Sequence, residues 1–297
     1  MIAKNKLITI GSATVALVAV GAVILLTAGK DEPSSSVTDM LESVTEAPTE
    51  ATLPDITDFT KEPELLGRAK TLLRENEDVV GYIKIDNTNV DYPVVQYDGE
   101  DLEENGNDYY LHRDLYGEYL ESGTIFMDYR DVFGADESQH SENIVLYGHN
   151  MLNGSKFATL HYYREDESFY EENPIIEFSS NYKDYKYVIF GVVLTSGSYG
   201  DSNYGEEWAY WDQEDLSNKE DFDKYVDNTL ERSLVSTDVD VEYGDQLLTL
   251  STCWLDSDNS RLLIIARRLH DDEKPEDFMK SESADDDYSE SDGSGEE

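Results

Sequence analysis

Hydrophobic residues recur along this chain in two rhythms. Leu65, Leu66, Ala69, Leu72 and Leu73 fall at helical spacing, with Lys61, Glu62, Arg68, Lys70 and Arg74 filling the polar positions. One apolar stripe on a polar cylinder predicts an amphipathic helix leading into a folded domain. Beyond it the period shortens. Val79 to Ile85, Val90 to Gln96, Gly123 to Tyr129, Asn143 to Tyr147, Ile175 to Phe178, Tyr185 to Thr195, Gln246 to Cys253 and Arg261 to Leu269 are short β-branched or aromatic runs, most of them bounded by Gly, Asn, Asp or Pro. Each predicts a strand. Strands in this number without regular alternation with helices predict a mainly β domain, either a barrel or a sandwich. Helical spacing returns in Ser155 to Tyr163 and in Lys219 to Ser233, where Phe222, Tyr225, Val226 and Leu230 form a stripe expected to seal onto the core.

The flanks follow other patterns. Leu7 to Gly29 is a stretch of 23 residues without a charge, preceded by Lys4 and Lys6 and followed by Lys30, Asp31 and Glu32. As a helix it would reach about 34 Å, enough to cross a hydrocarbon core of about 30 Å. It is longer than the apolar region of a cleaved signal peptide, so the expectation is an uncleaved anchor. The positive-inside rule then puts residues 1–6 in the cytoplasm and everything after residue 29 outside, as a single-pass protein of the cell membrane. Residues 30–60 are rich in Ser, Thr and Pro, and Asp31 to Thr60 has eight acidic residues and no basic one; too little apolar surface to offset chain entropy predicts an extended stalk. His270 to Glu297 carries thirteen acidic residues against Lys274 and Lys280 and is expected to be a disordered tail. Residues 61–269 between them suit one domain with a sizeable core.

The formal net charge of −44 argues against nucleic acid as a partner, which needs clustered Lys and Arg. Cys253 is the sole cysteine. It can form no intramolecular disulfide, so outside the cell it is either an inert buried thiol or a reactive one. It closes the run Gln246 to Cys253, and eight residues later Arg261 opens the next apolar run, which predicts a thiol and a guanidinium at facing ends of adjacent strands. Of the five histidines, His149 follows the strand Asn143 to Tyr147 and would project into a loop-lined cleft. His112 and His140 lie in highly charged segments, His161 on a predicted helix and His270 at the edge of the tail. A thiolate nucleophile, a fixed cation and an imidazole that can move a proton suffice for acyl transfer. One cysteine and scattered histidines lack zinc-ligand spacing, no phosphate-cradling glycine loop stands out, and no cofactor is expected.

Thr249-Leu250-Ser251-Thr252-Cys253 followed by Arg261-Leu262, with Tyr147-Gly148-His149-Asn150-Met151 upstream, resembles the sortases, membrane-anchored cysteine transpeptidases of Gram-positive bacteria. Asn76 to Tyr82, Val90 to Gln96 and Gly123 to Asp128 look like class B. The resemblance implies a closed eight-stranded barrel with an N-terminal helical segment, for which Lys61 to Glu75 is in place, and a helix before the cysteine strand, at Lys219 to Ser233. It implies Cys253 as nucleophile, His149 as general acid and base, Arg261 as stabiliser of the substrate carbonyl and oxyanion, and Ser251 and Thr252 as possible contacts to the substrate peptide. The implied partners are surface proteins bearing a C-terminal sorting signal, of Asn-Pro-x-Thr type in many class B relatives, and a peptidoglycan precursor or other amine acceptor. A pilin-polymerising sortase, another cysteine hydrolase or transpeptidase, and a tethered adhesin or wall-binding domain with an inert Cys253 are the alternatives. The adhesin requires a buried cysteine.

Overall fold

The structure is a computed structural model that describes residues 63–97, 106–200, 204, 208–212, 216–254 and 259–280. The expected anchor, the stalk and the last part of the acidic tail lie outside these residues. Among the described residues no helix is long and apolar enough to cross a membrane.

The eight short-period runs form eight strands: β1 Val79–Lys84, β2 Asp91–Val95, β3 Ile125–Met127, β4 Asn143–Tyr147, β5 Ile175–Ser180, β6 Asp184–Ser196, β7 Leu247–Cys253 and β8 Ser260–Arg268. They close into one barrel in the order β1-β2-β3-β4-β7-β8-β6-β5, with β5 returning to β1. Two seams are parallel, β2 with β3 and β4 with β7, and the others are antiparallel. Of the two architectures compatible with the pattern, the barrel is the one formed. It leaves no sheet edge unpaired, which an open sandwich would.

The apolar continuity of β7 and β8 has a direct cause, since both faces of these strands are covered. Leu248, Leu250, Leu262, Ile264 and Ala266 fill the barrel interior together with Ile83, Val94, Ile125, Ile144 and Phe178. Their alternates Leu247, Leu263 and Ile265 face outward into a second core with Phe190, Val193, Trp208, Tyr210, Phe222 and Tyr225. That outer core is sealed by α4, Lys219–Arg232, whose first turn is capped by Asn218 accepting from the Asp221 N–H. The buried stripe of α4 is Phe222, Tyr225, Val226 and Thr229, whereas Leu230 is exposed. Thr229 takes the core position because its hydroxyl donates to the Tyr225 carbonyl 2.9 Å away and so needs no water.

The N-terminal helix, α1 Gly67–Glu75, buries Ala69 and packs Leu72 and Leu73 against a third cluster of Val79, Val95, Tyr110 and Phe126. The segment read as a helix from Ser155 to Tyr163 is instead a 3-10 turn, Ala158–His161, running into α2, Tyr162–Glu165; α3, Glu167–Glu172, follows, capped by Asp166.

The chain does not leave the barrel at His270. Arg267 is 1% exposed, and its guanidinium needs acceptors. Glu273 accepts from both terminal nitrogens at 2.6 Å and the Asp240 carbonyl accepts from Nε at 2.7 Å. This pair folds residues 270–280 back along the domain, where the Lys280 N–H and ammonium both donate to Glu171 of α3. The composition that suggested a free tail from His270 therefore misplaces where the fold ends.

Candidate active site

Cys253 is the last residue of β7, and its partner across the antiparallel ladder is Arg261, the second residue of β8. Directly opposed residues in such a pair project from the same face. The face is the outer one, by the alternation that puts Leu250 and Leu248 inside and Thr249 and Ser251 outside. Cys253 is exposed at the strand end. Its neighbour Trp254 closes the β7–β8 hairpin by exchanging bonds with Ser260: the Trp254 N–H donates to the Ser260 carbonyl at 2.9 Å and the Ser260 hydroxyl to the Trp254 carbonyl at 2.6 Å. The Trp254 ring is partly buried against the barrel core, with the Arg164 guanidinium of α2 4.6 Å above it.

His149 reaches the same place from the parallel seam. The β4–β7 register ends at Tyr147 opposite Ser251, and two further residues bring His149 level with Cys253. Gly148 between them has no room for a side chain, because a Cβ there would run into Ile125 and Phe157. Three bonds fix the seam beyond the last ladder pair. The Gly148 N–H donates to the Ser251 carbonyl at 3.2 Å, the Thr252 hydroxyl to the Gly148 carbonyl at 2.7 Å, and the Asn150 amide to the Cys253 carbonyl at 3.1 Å.

The imidazole of His149 is half-buried, and its Nε2 lies 2.8 Å from the Leu111 carbonyl. A carbonyl only accepts, so Nε2 carries a proton and Nδ1 is the nitrogen left to exchange one. Burial, together with the nearby His112, Lys156 and Arg261, holds the pKa of His149 below the usual imidazole range, while the Leu111 carbonyl acts the other way. The Arg261 guanidinium donates to its neighbour's carbonyl, that of Ser260, at 3.0 Å and lies against Gly197, where an added Cβ would stand 2.9 Å from Cζ.

The structure thus brings Cys253, His149 and Arg261 to one end of the barrel. It does not leave Ser251 and Thr252 facing a cleft. Both are buried: Ser251 Oγ shares a hydrogen bond of 2.7 Å with the Tyr210 hydroxyl of the outer core, and Thr252 points inward to Gly148. The residue missed in the sequence is His112. Its ring stacks on that of His149, with centroids 5.4 Å apart and 24° between planes. No local pattern marks it, since the contact arises from a loop crossing the barrel end. Among the described residues no group of His, Cys, Asp and Glu could hold a metal ion.

The family model of the Sortase domain matches residues 83–269. The chain belongs to the sortase family. Sortase B of Staphylococcus aureus is 33% identical over 62% of this chain and 66% of its own length, and sortase B of Listeria monocytogenes is 31% identical over 66% and 70%. The matches thus span about two thirds of these relatives. Among solved structures, the S. aureus sortase B–substrate complex superposes with a TM-score of 0.57 at 31% identity, covering 69% of this chain and 86% of the other. A sortase B complexed with triglycine gives a TM-score of 0.55 at 30% identity, covering 67% and 84%. These relatives place the chain in class B of a family of cysteine transpeptidases, and the closed barrel is theirs as well.

Proposed function

We propose that this chain cleaves a C-terminal sorting signal of secreted surface proteins after a threonine and transfers the acyl group to an amino group of a cell-wall precursor. The observation that carries the reading is the convergence on one barrel end of an exposed thiol, a guanidinium directly across the ladder and an imidazole at the end of the parallel seam.

The chemistry follows from these positions. The thiolate of Cys253 attacks the scissile carbonyl carbon, with Arg261 on the same face as a fixed cation that favours the ionised sulfur. The oxygen gathers charge in the tetrahedral intermediate, and the Arg261 fork donates to it. Collapse breaks the C–N bond. The departing amine takes the proton of His149 Nδ1, while Nε2 keeps its own against the Leu111 carbonyl. A thioester remains on Cys253. The acceptor amine then attacks it, returns a proton to Nδ1 and expels the thiolate. The solved relatives described with substrate and with triglycine support a peptide donor and an amine acceptor here. The apolar stretch Leu7 to Gly29 would hold the domain at the outer face of the cell membrane, near both.

The exposure of Cys253 counts against the adhesin, which needs an inert buried thiol. The test incubates the full-length protein with a library of sorting-signal peptides and amine acceptors and follows intact mass. The wild type should gain one acyl fragment and release transfer product, and Cys253→Ala should do neither. Turnover by Cys253→Ala would refute the covalent route.

A further inference from the structure

Two contacts to His149 come from one short turn. Tyr109–His112 is a 3-10 turn in the connection between β2 and β3. Leu111 offers its carbonyl to Nε2 of His149, and His112, the next residue, lays its ring over the same imidazole. His112 is itself held in place. Its Nδ1 lies 3.2 Å from the Glu121 carbonyl, its own carbonyl accepts from the Leu120 N–H at 3.0 Å, and the Tyr119 ring tilts against it with centroids 6.4 Å apart.

We propose that His112 is a positioning residue for the acyl-transfer reaction, fixing the plane of the His149 ring and, through its own charge, governing how readily His149 becomes imidazolium. The proposal rests on the reading of His149 as acid and base. A cation of β8, Arg261, a lysine of the loop after β4, Lys156, and His112 all face His149, and Asp114 faces Lys156 in turn. Arg261 never loses its charge and a lysine titrates from a far higher range than an imidazole. Of these three, His112 is the one that, as an imidazole, can gain or lose its charge; Cys253 at the end of β7 is the other titratable group at His149. Two positive rings 5.4 Å apart repel by an amount equal to roughly half to two pH units, for effective dielectric constants between about 80 and 20. A proton on His112 therefore opposes one on the half-buried His149.

The direct test is the titration of the histidine ring resonances of the full-length protein by NMR, which needs no substrate. His112→Gln removes the charge and should raise the His149 midpoint by about half to two pH units. His112→Arg fixes the charge and should leave the midpoint at or below that of the wild type. One limb of the pH profile of the transfer rate should move with the midpoint in each variant. His112→Phe keeps a ring in the stack without a charge, so it should share the raised midpoint of His112→Gln but lose less of the maximal rate than His112→Gln does. An unchanged midpoint in both charge variants, or a shift of both in one direction, would overturn the electrostatic role. Equal loss of maximal rate in the Phe and Gln variants would overturn the stacking role. A titration that shifts as expected in a protein without transferase activity would uphold the coupling and sink the assignment of the reaction.

Discussion

Gly197 offers a way to move Arg261 without touching it. The residue follows β6, donates its N–H to the Asn259 carbonyl at 2.7 Å, and leaves its α-carbon bare beneath the guanidinium. A Cβ added there would stand 2.9 Å from Arg261 Cζ, 3.0 Å from Nε and 3.1 Å from Cγ. Carbon contacts settle at about 3.5 Å or more, so Gly197→Ala must push the guanidinium back by roughly 0.6 Å. The side chain is flexible and can yield, so the fold should lose no more than about 1 kcal/mol. The chemistry is less forgiving. Misplacement by about 1 Å can cost a hundredfold in rate, and complete loss of one oxyanion donor costs about a hundredfold to a thousandfold. A partial displacement should therefore slow acylation between roughly tenfold and a hundredfold, or about 1.4 to 2.7 kcal/mol of barrier.

The assay is acyl-enzyme formation by rapid quench and intact mass, with urea unfolding alongside. Gly67→Ala is the control, because nothing lies within 4 Å of its added methyl; at the start of α1 it should stabilise by about 0.5 to 1 kcal/mol and leave the rate alone. A double variant separates cause from coincidence. If the alanine acts through the guanidinium, then adding it to Arg261→Ala should cost nothing further. A full rate in Gly197→Ala would show that the placement of Arg261 does not limit the reaction, and additive losses in the double variant would show that the alanine acts by another route than the guanidinium.

Two further outcomes follow from named bonds. The Arg267 hydrogen bonds, ahead of its charge, hold the pKa of Glu273 down to about 2; this stabilisation is complete above a carboxylate's ordinary value of about 4.3 and is lost as pH falls from there towards about 2. Partial exposure limits it to on the order of 2 kcal/mol, so Glu273→Gln should lower stability near neutrality and flatten the acid dependence of urea unfolding, and an unchanged acid profile would mean that the pair contributes nothing. Thr252→Val removes the donor to the Gly148 carbonyl and should cost about 1 to 3 kcal/mol of stability; because that bond ties the nucleophile strand to the residue before His149, kcat should fall with KM unchanged, and a raised KM alone would place Thr252 against the substrate instead.

The strands were legible because their apolar runs answer to faces that are buried. β7 and β8 read as continuous runs, which is what two covered faces require, and each of their inner and outer residues then follows from alternation alone. The side chains that carry hydroxyls were not legible in the same way. Ser251 and Thr252 beside the nucleophile look like peptide contacts in the sequence, yet Tyr210 and the Gly148 carbonyl take both hydroxyls. Those partners lie 41 and 104 residues away. The ordered run past His270 was hidden for a related reason. Its acidic composition matches a solvated tail, and only the burial of Arg267 shows that one of those carboxylates has a partner to find.

The site itself depends on something that no local pattern carries, the direction in which strands pair. Because β4 and β7 run parallel, their C-terminal ends emerge at the same end of the barrel, so His149 and Cys253 meet there although 104 residues separate them in sequence. The antiparallel β8 begins at that end and brings Arg261 at its start. The second parallel seam does the rest. β3 is antiparallel to β4 and so starts at the site end, and β2, parallel to β3, finishes at the far end. A parallel pair of this kind needs a return crossing between the end of one strand and the start of the next. Tyr109–His112 belongs to that return crossing, and its last two residues are the ones that touch His149 by edge and by face. Hence a histidine in a charged loop, unremarkable in the sequence, is delivered to the imidazole of the site by the same strand order that assembles the other three residues.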